Sequence, residues 1–236
     1  MTTTALSTPA TGSRRGLPPS SRQPIIYPES DGKPMADNTR QFDYIVMIQG
    51  GLAALFADRP DVFVAGDLLW YPVEGQPHIR AAPDAMVVFG RPPGHRGSYI
   101  QHEEDHIAPQ VVFEVLSPSN TPAEMRKKRD FYDRYGVEEY YEYDPDRGTL
   151  EGWLRREDRL EPIDPMEGWV SPLLGIRFSL EGADLALYHP DGQRFETFVE
   201  QAQRIRAEQQ RAEAAERRIM QLAERLRQLG VDPDAF

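Results

Sequence analysis

Two carboxylates and a pair of lysines carry the chemistry this chain can offer. Asp84 stands in "APDAMVV", after a proline and at the start of an apolar run. Glu114 stands in "VVFEVLSPSN", inside a run otherwise made of β-branched, aromatic and leucine residues. A strand that apolar reads as buried on both faces, where an unpaired carboxylate is very costly. Something cationic is therefore expected beside Glu114, either a basic side chain or a metal ion. If the two runs form neighbouring strands, Asp84 and Glu114 can share one divalent cation. Magnesium suits them, being a hard ion held by one or two carboxylates and several waters; manganese is the alternative. The backbone carbonyl of Val115 is a candidate third oxygen. Such an ion activates water and offsets charge on a phosphate, and a nearby ammonium stabilises the charge that develops there. The segment after the second strand, "PAEMRKKRDFYDRYG", supplies Lys127 and Lys128.

The elements that must position these groups follow from pattern. "DNTRQFDYIVMIQGGLAALFA" has Asn38 or Thr39 as a cap and Phe42, Ile45, Ile48, Leu52 and Leu55 at helical spacing. "DVFVAGDLLWYPV" and "HIRAAPDAMVVFG" read as strands, and "QVVFEVLSP" as the central one. "RPPGHRGSYIQHEEDHIAP" reads as a polar loop. The lysine-bearing segment is an amphipathic helix closed by Gly136, with Ser117 and Ser119 shaping its approach and capping its start. "EEYYEYDP", "TLEGWLRRED" and "RLEPID" continue as strands, and "GWVSPLLGIRFSLEG" as a closing strand and turn. Strand, helix, strand around a buried central strand predicts an α/β layered domain.

Taken together, the carboxylates and lysine have the arrangement of PD-(D/E)xK nucleases, with Leu116 where that motif would carry its lysine. The next helix can return a long side chain to the vacated position. "APDAMVV", "VVFEVLSPSN" and "KKRDFYDRYGVEEYYEYDP" together resemble the Uma2 family of restriction-endonuclease-like proteins. That family shows a PD strand, a strand ending in EVLSPS, a lysine four residues before a tyrosine, then Gly-Val-x-Glu-Tyr and Asp-Pro. Lys128 stands four before Tyr132 and matches the family lysine; Lys127 is its unaligned neighbour. Gly136, Val137, Glu139 and Tyr140 match the next element, while Tyr141 replaces the usual Trp. The resemblance spans about residues 40–180 and is strongest over 111–145. It implies a restriction-endonuclease-like mixed central sheet flanked by helices, and hydrolysis of phosphodiester bonds, with DNA as partner. Asp84 and Glu114 would hold Mg2+ or Mn2+ with the Val115 carbonyl. Lys128, or less favourably Lys127, would stabilise the phosphate. Arg126, Lys127, Arg129 and Ser117 are candidate contacts to nucleic acid, and Asp43 a candidate additional acid. A catalytically degraded fold serving as a binding or assembly module is the alternative, favoured by Leu116.

A second metal pattern competes. "HEEDH", residues 102–106, fits H-E-x-x-H, which in a zinc protease needs both histidines on one helix face. Pro109 follows within a turn, apolar residues at helical spacing are missing, and only His189 or Glu124 offers a third ligand. A solvated acidic loop is the stronger expectation.

Composition sets the remaining bounds. The hydrophobic fraction of 39% supports a real core, and the absence of cysteine excludes disulfides and thiolate zinc. No apolar run reaches the roughly 18 residues of a membrane helix. No secretory leader is recognised, so no membrane association and a cytoplasmic location are expected. The net charge is −11, and the body, residues 36–194, carries −12, since the flanks sum to only +1. That argues against broad phosphate binding and suits a divalent cation. Residues 1–35 are rich in Ser, Thr, Pro and Gly and read as a mostly disordered tail. From Phe195 to about residue 230 the texture is heptad-like. Phe198, Ile205, Ala212, Ile219 and Leu226 fall at a, and Gln201, Glu208, Ala215, Leu222 and Leu229 at d. A long helix, and a homo-oligomer through a coiled coil over 195–229, are expected. Residues 231–236 form a short polar end.

Overall fold

The computed structural model describes residues 25–32 and 34–229. The expected tail up to residue 24 and the end at 231–236 lie outside the described residues. Helix α1, Thr39–Leu55, is capped by Asn38, whose side chain accepts from the Gln41 amide at 2.9 Å. Ten strands follow: β1 Val62–Ala65, β2 Trp70–Tyr71, β3 Ala85–Phe89, β4 Tyr99–Ile100 and β5 Val111–Val115, then, after helix α2 Pro122–Arg134, β6 Glu139–Asp144, β7 Thr149–Arg156, β8 Arg159–Pro162, β9 Arg177–Glu181 and β10 Asp184–Tyr188. Helix α3, Phe198–Gln228, ends the described chain.

Six strands form one mixed sheet in the order β1-β3-β5-β6-β7-β8. Every pair is antiparallel except β5–β6. That pair is parallel because α2 carries the chain back between them, as a parallel connection requires. Each face is covered. Val111, Phe113 and Val115 pack with Ile45, Ile48 and Leu52 of α1 and with Phe178, Leu185 and Leu187. Val112 joins Met86, Val88, Tyr132, Tyr140 and Trp153 on the α2 side. The period-two alternation along β5 thus sends Glu114 to the α2 face.

Three local differences from the pattern-based reading have physical causes. The first predicted strand splits into β1 and β2, because Gly66 and Asp67 turn the chain there, Asp67 at φ 47°. The polar loop contains β4, which pairs parallel with β2. The closing strand β9 does not enter the main sheet. It turns at Gly182 (φ 73°) into β10, an unanticipated partner, and the hairpin packs on the α1 face.

Helix α2 starts at Thr121 and not at Ser117 or Ser119. Thr121 and Glu124 form a reciprocal capping box with Pro122 in the first turn. It closes with Gly136 at φ 91° and the Val137 amide bonded to the Tyr132 carbonyl, which is Schellman geometry. Helix α3 starts at Thr197 with a second capping box, and none of its 31 residues is buried. It does not lie along the domain.

Candidate active site

Strands β3 and β5 run antiparallel with Ala85 opposite Phe113. One step further along that register, Asp84 and Glu114 come opposite each other, both on the α2 face. The Asp84 carboxyl is pushed well above the usual carboxylate range, by burial first and then by the adjacent Glu114 charge. One of its oxygens accepts from the Val115 amide at 2.6 Å. Glu114 is only 3% exposed. Its Oε2 accepts from Lys128 Nζ at 2.7 Å, and its Oε1 from the Tyr132 hydroxyl. The cation that the buried glutamate demanded is therefore present, and it comes from the next helix.

Helical geometry selects Lys128 over Lys127. Met125 and Tyr132 are the buried residues of α2. Lys128 lies three residues after one and four before the other, on the same stripe. Lys127 lies off that stripe and is exposed. Desolvation is the largest influence on the Lys128 ammonium and works to lower its pKa, but Glu114 and Asp84 together raise it. It remains charged at neutral pH. The Tyr132 phenol is pushed well above its ordinary value by burial, then by Glu114, and so stays a donor. Its ring stacks on Trp70, 6.4 Å between centroids and 4° between planes. Packing and polar contact are combined in this one side chain.

Helix α1 reaches the site through its start. Buried Gln41 donates from Nε2 to the Val115 carbonyl at 2.7 Å and accepts from the Asp37 amide at 2.8 Å. The Val115 carbonyl thus has one lone pair engaged. The Ser117 hydroxyl donates to Asp37 at 2.6 Å, and Ser119 donates to the same carboxylate. These serines tie the end of β5 to the α1 approach. Asp43 is exposed on α1, which packs on the opposite face of the sheet from Glu114. Exposed Asp67 stands near the site. Its carboxyl is raised by partial desolvation, then by Asp31, with Glu114 adding to this and Lys128 opposing it. Sequence reasoning missed Gln41, Asp37 and Asp67. Only the Gly-Asp turn after β1 was a signal, and only for Asp67.

A groove of about 610 Å3 runs beside the carboxylates. Ser117, Arg126, Arg129, Arg147, Glu142 and Trp153 help line it; Asp84, Glu114 and Lys128 do not. The Arg129 guanidinium sits 4.9 Å from the centre of the Trp153 ring. Arginines and carboxylates both line this groove.

The competing zinc pattern does not form. Gln101–Glu103 is a 3-10 turn, and Asp105 and His106 have φ of 53° and 59°, so no helix presents both histidines. Glu104, the second Glu of the pattern, is held by Arg91 and Arg96 at 2.8 and 2.6 Å. Among the described residues no three His, Cys, Asp or Glu side chains are grouped to hold a metal. A zinc site needs at least three protein ligands, whereas magnesium is content with one or two carboxylates and water.

The family described as "Uma2: Putative restriction endonuclease" matches residues 46–187. The chain belongs to the Uma2 family. The match contains Asp84, Glu114, Lys128 and Tyr132, and ends before α3. No curated protein matches the chain. A solved structure from Anabaena variabilis, titled a "putative nuclease belonging to DUF820", is 16% identical, with a TM-score of 0.43 over 64% of this chain and 84% of that one. Uma2 membership and a mixed sheet flanked by helices give this chain a nuclease-like α/β fold. Among the described residues no helix is long and apolar enough to cross a membrane.

Proposed function

We propose that the protein is a metal-dependent endonuclease that hydrolyses phosphodiester bonds in DNA. The observation that carries this reading is the meeting of Asp84, Glu114 and Lys128 on one face, at the ends of two strands and on the helix that follows. Two adjacent carboxylates share a single ammonium, and burial first, then the Glu114 charge, raises the Asp84 pKa. An all-oxygen donor set of this kind fits Mg2+ or Mn2+. Asp84 and Glu114 would hold the ion, with the Val115 carbonyl as a further oxygen. When bound, it lowers the pKa of water and offsets charge on the scissile phosphate.

The chain's own residues do the rest. Lys128 presents an ammonium to the phosphate as charge develops, and Glu114 fixes its position. Tyr132 holds the second Glu114 oxygen, so the carboxylate cannot swing away. Asp84 is oriented by the Val115 amide. Arg126, Arg129 and Lys127 supply the positive charge available to neighbouring phosphates, and Ser117 lines the groove beside them. The degraded-fold alternative rested on Leu116 standing where the motif lysine belongs. The Lys128 ammonium bonded to Glu114 from α2 supports the enzyme reading over that alternative.

The test is cleavage of plasmid and single-stranded DNA in Mg2+ and in Mn2+, beside Glu114→Ala. Metal-dependent cleavage by the parent protein and none by the variant supports the reading. Intact DNA with no heat of Mg2+ or Mn2+ binding by calorimetry overturns it.

A further inference from the structure

Helix α3 exposes an apolar stripe to solvent for its whole length. Phe198 is 70% exposed, Ile219 65% and Leu229 72%, while Ile205, Leu222 and Leu226 are also open. These residues repeat at a and d, with Ala212 and Ala215 between them. Unpartnered large apolar residues at a heptad period are the seam of a coiled coil. The covering chain can be identified from three features of the helix.

The first is chain number. Ile stands at a in positions 205 and 219, and Leu at d in positions 222 and 229. Branched Ile at a with Leu at d selects two strands. The second is the flank of the seam. Every g position from Arg204 onward is arginine: Arg204, Arg211, Arg218 and Arg225. In an antiparallel pair g faces g, which would set one arginine row against another. In a parallel pair g faces the next e of the partner, and the e positions are Ala202, Gln209, Glu216 and Ala223. No like-charged pair then arises, and Arg211 meets the partner's Glu216. The third is Glu208, the charged residue at d. Arg204 bonds it at 3.2 Å within the same helix, so its charge is compensated before it enters a seam.

We infer that α3 pairs with α3 of a second copy as a parallel two-stranded coiled coil, firmest from Ala212 to Leu229. This goes beyond the nuclease reading and does not depend on it. A parallel pair joins both copies at the same end of the coil, after the connection 189–197 that follows β10 in each.

The full-length chain is the material for the test. Light scattering near 50 μM is expected to give the mass of two chains. Because the protein has no cysteine, Leu222→Cys is a single probe: it is expected to form an interchain disulfide under oxidised glutathione. In an antiparallel pair of helices about 46 Å long, the two positions would lie too far apart. Arg211→Glu and Glu216→Arg should each raise the dimer dissociation constant about threefold or more. The double variant should return it to the parent value. A monomeric or trimeric mass overturns the inference. So does a dimer that gives no disulfide, or one that Arg211→Glu tightens. DNA cleavage is read separately, so an inactive dimer or an active monomer assigns failure to one proposal only.

Discussion

Glu114 shows how a single buried charge organises its surroundings. Its two oxygens are met by Lys128 and Tyr132, one ionic and one neutral donor, and Asp84 presses a second carboxylate against it. Removing the ammonium should have a double effect. Lys128→Ala is expected to lower the cleavage rate about 10²-fold or more, the loss typical of a group aimed at transition-state charge. It should also destabilise the metal-free protein by about 3 kcal/mol, because Glu114 is left buried and unpaired. Added Mg2+ should then raise its Tm more than it raises that of the parent. Lys127→Ala should leave stability unchanged, since that side chain is in water, and should weaken cleavage only through the loss of one phosphate contact. Kinetics and thermal melts with and without Mg2+ check all of this. Asp84 gives a prediction of opposite sign for stability. Its folded pKa is raised, so the folded state binds a proton more tightly than the unfolded one. Its stabilising contribution is complete only below the unfolded value of about 4 and is lost as pH rises through the folded value. Above that range the group therefore costs stability. Asp84→Asn should abolish cleavage yet raise the metal-free Tm by about 2–4 °C, an advantage that fades as pH falls from the folded value toward about 4 and is absent below it. Melts across pH measure it.

At the scale of elements, the site depends on two helices gripping opposite faces of one sheet. α2 is fixed by its capping box and Schellman closure, and Lys128 shares its buried stripe with Met125 and Tyr132. α1 is fixed by close packing. A Cβ on Gly51 would overlap the buried Phe195 ring, whereas one on Gly50 would meet nothing. The two neighbours should therefore respond oppositely. Gly51→Ala should destabilise by about 1–3 kcal/mol through overpacking. Gly50→Ala should stabilise by about 0.5–1 kcal/mol through helix propensity. Urea denaturation with a common m-value separates them. Since Gln41 of α1 holds the Val115 carbonyl, Gly51→Ala should also lower cleavage, and Gly50→Ala should leave it unchanged.

On the scale of the whole molecule, net charge and basic groups conflict. A body of strongly acidic character must bind a polyanion through few cations, chiefly Arg126, Lys127 and Arg129 on one helix. Binding of a short duplex should accordingly be weak. Its logarithm should fall with log salt at a slope near −3, about −0.9 for each phosphate neutralised by these three cations. Fluorescence anisotropy in Ca2+ over a salt series measures it; a slope near zero would mean that these residues do not meet phosphate. If α3 joins two copies, the duplex is offered two such helices.

The carboxylate pair, the lysine, the helices and the central strand can all be read from residue order, because they depend on local period and on spacing within one strand–helix–strand unit. A charge in an apolar strand announces its own partner, and a lysine four residues before a buried tyrosine must share its face. Residue order could not place Gln41, Asp37 or Asp67, which come to the site from distant segments through ordinary capping and turn contacts with no spacing of their own. Nor could it separate β9–β10 from the main sheet, since the strand pattern is identical whichever edge is joined. The tertiary structure decided those points, and it decided that α3 stands clear of the domain: a heptad stripe specifies that an apolar face must be covered, while only packing reveals that the rest of the chain leaves it bare.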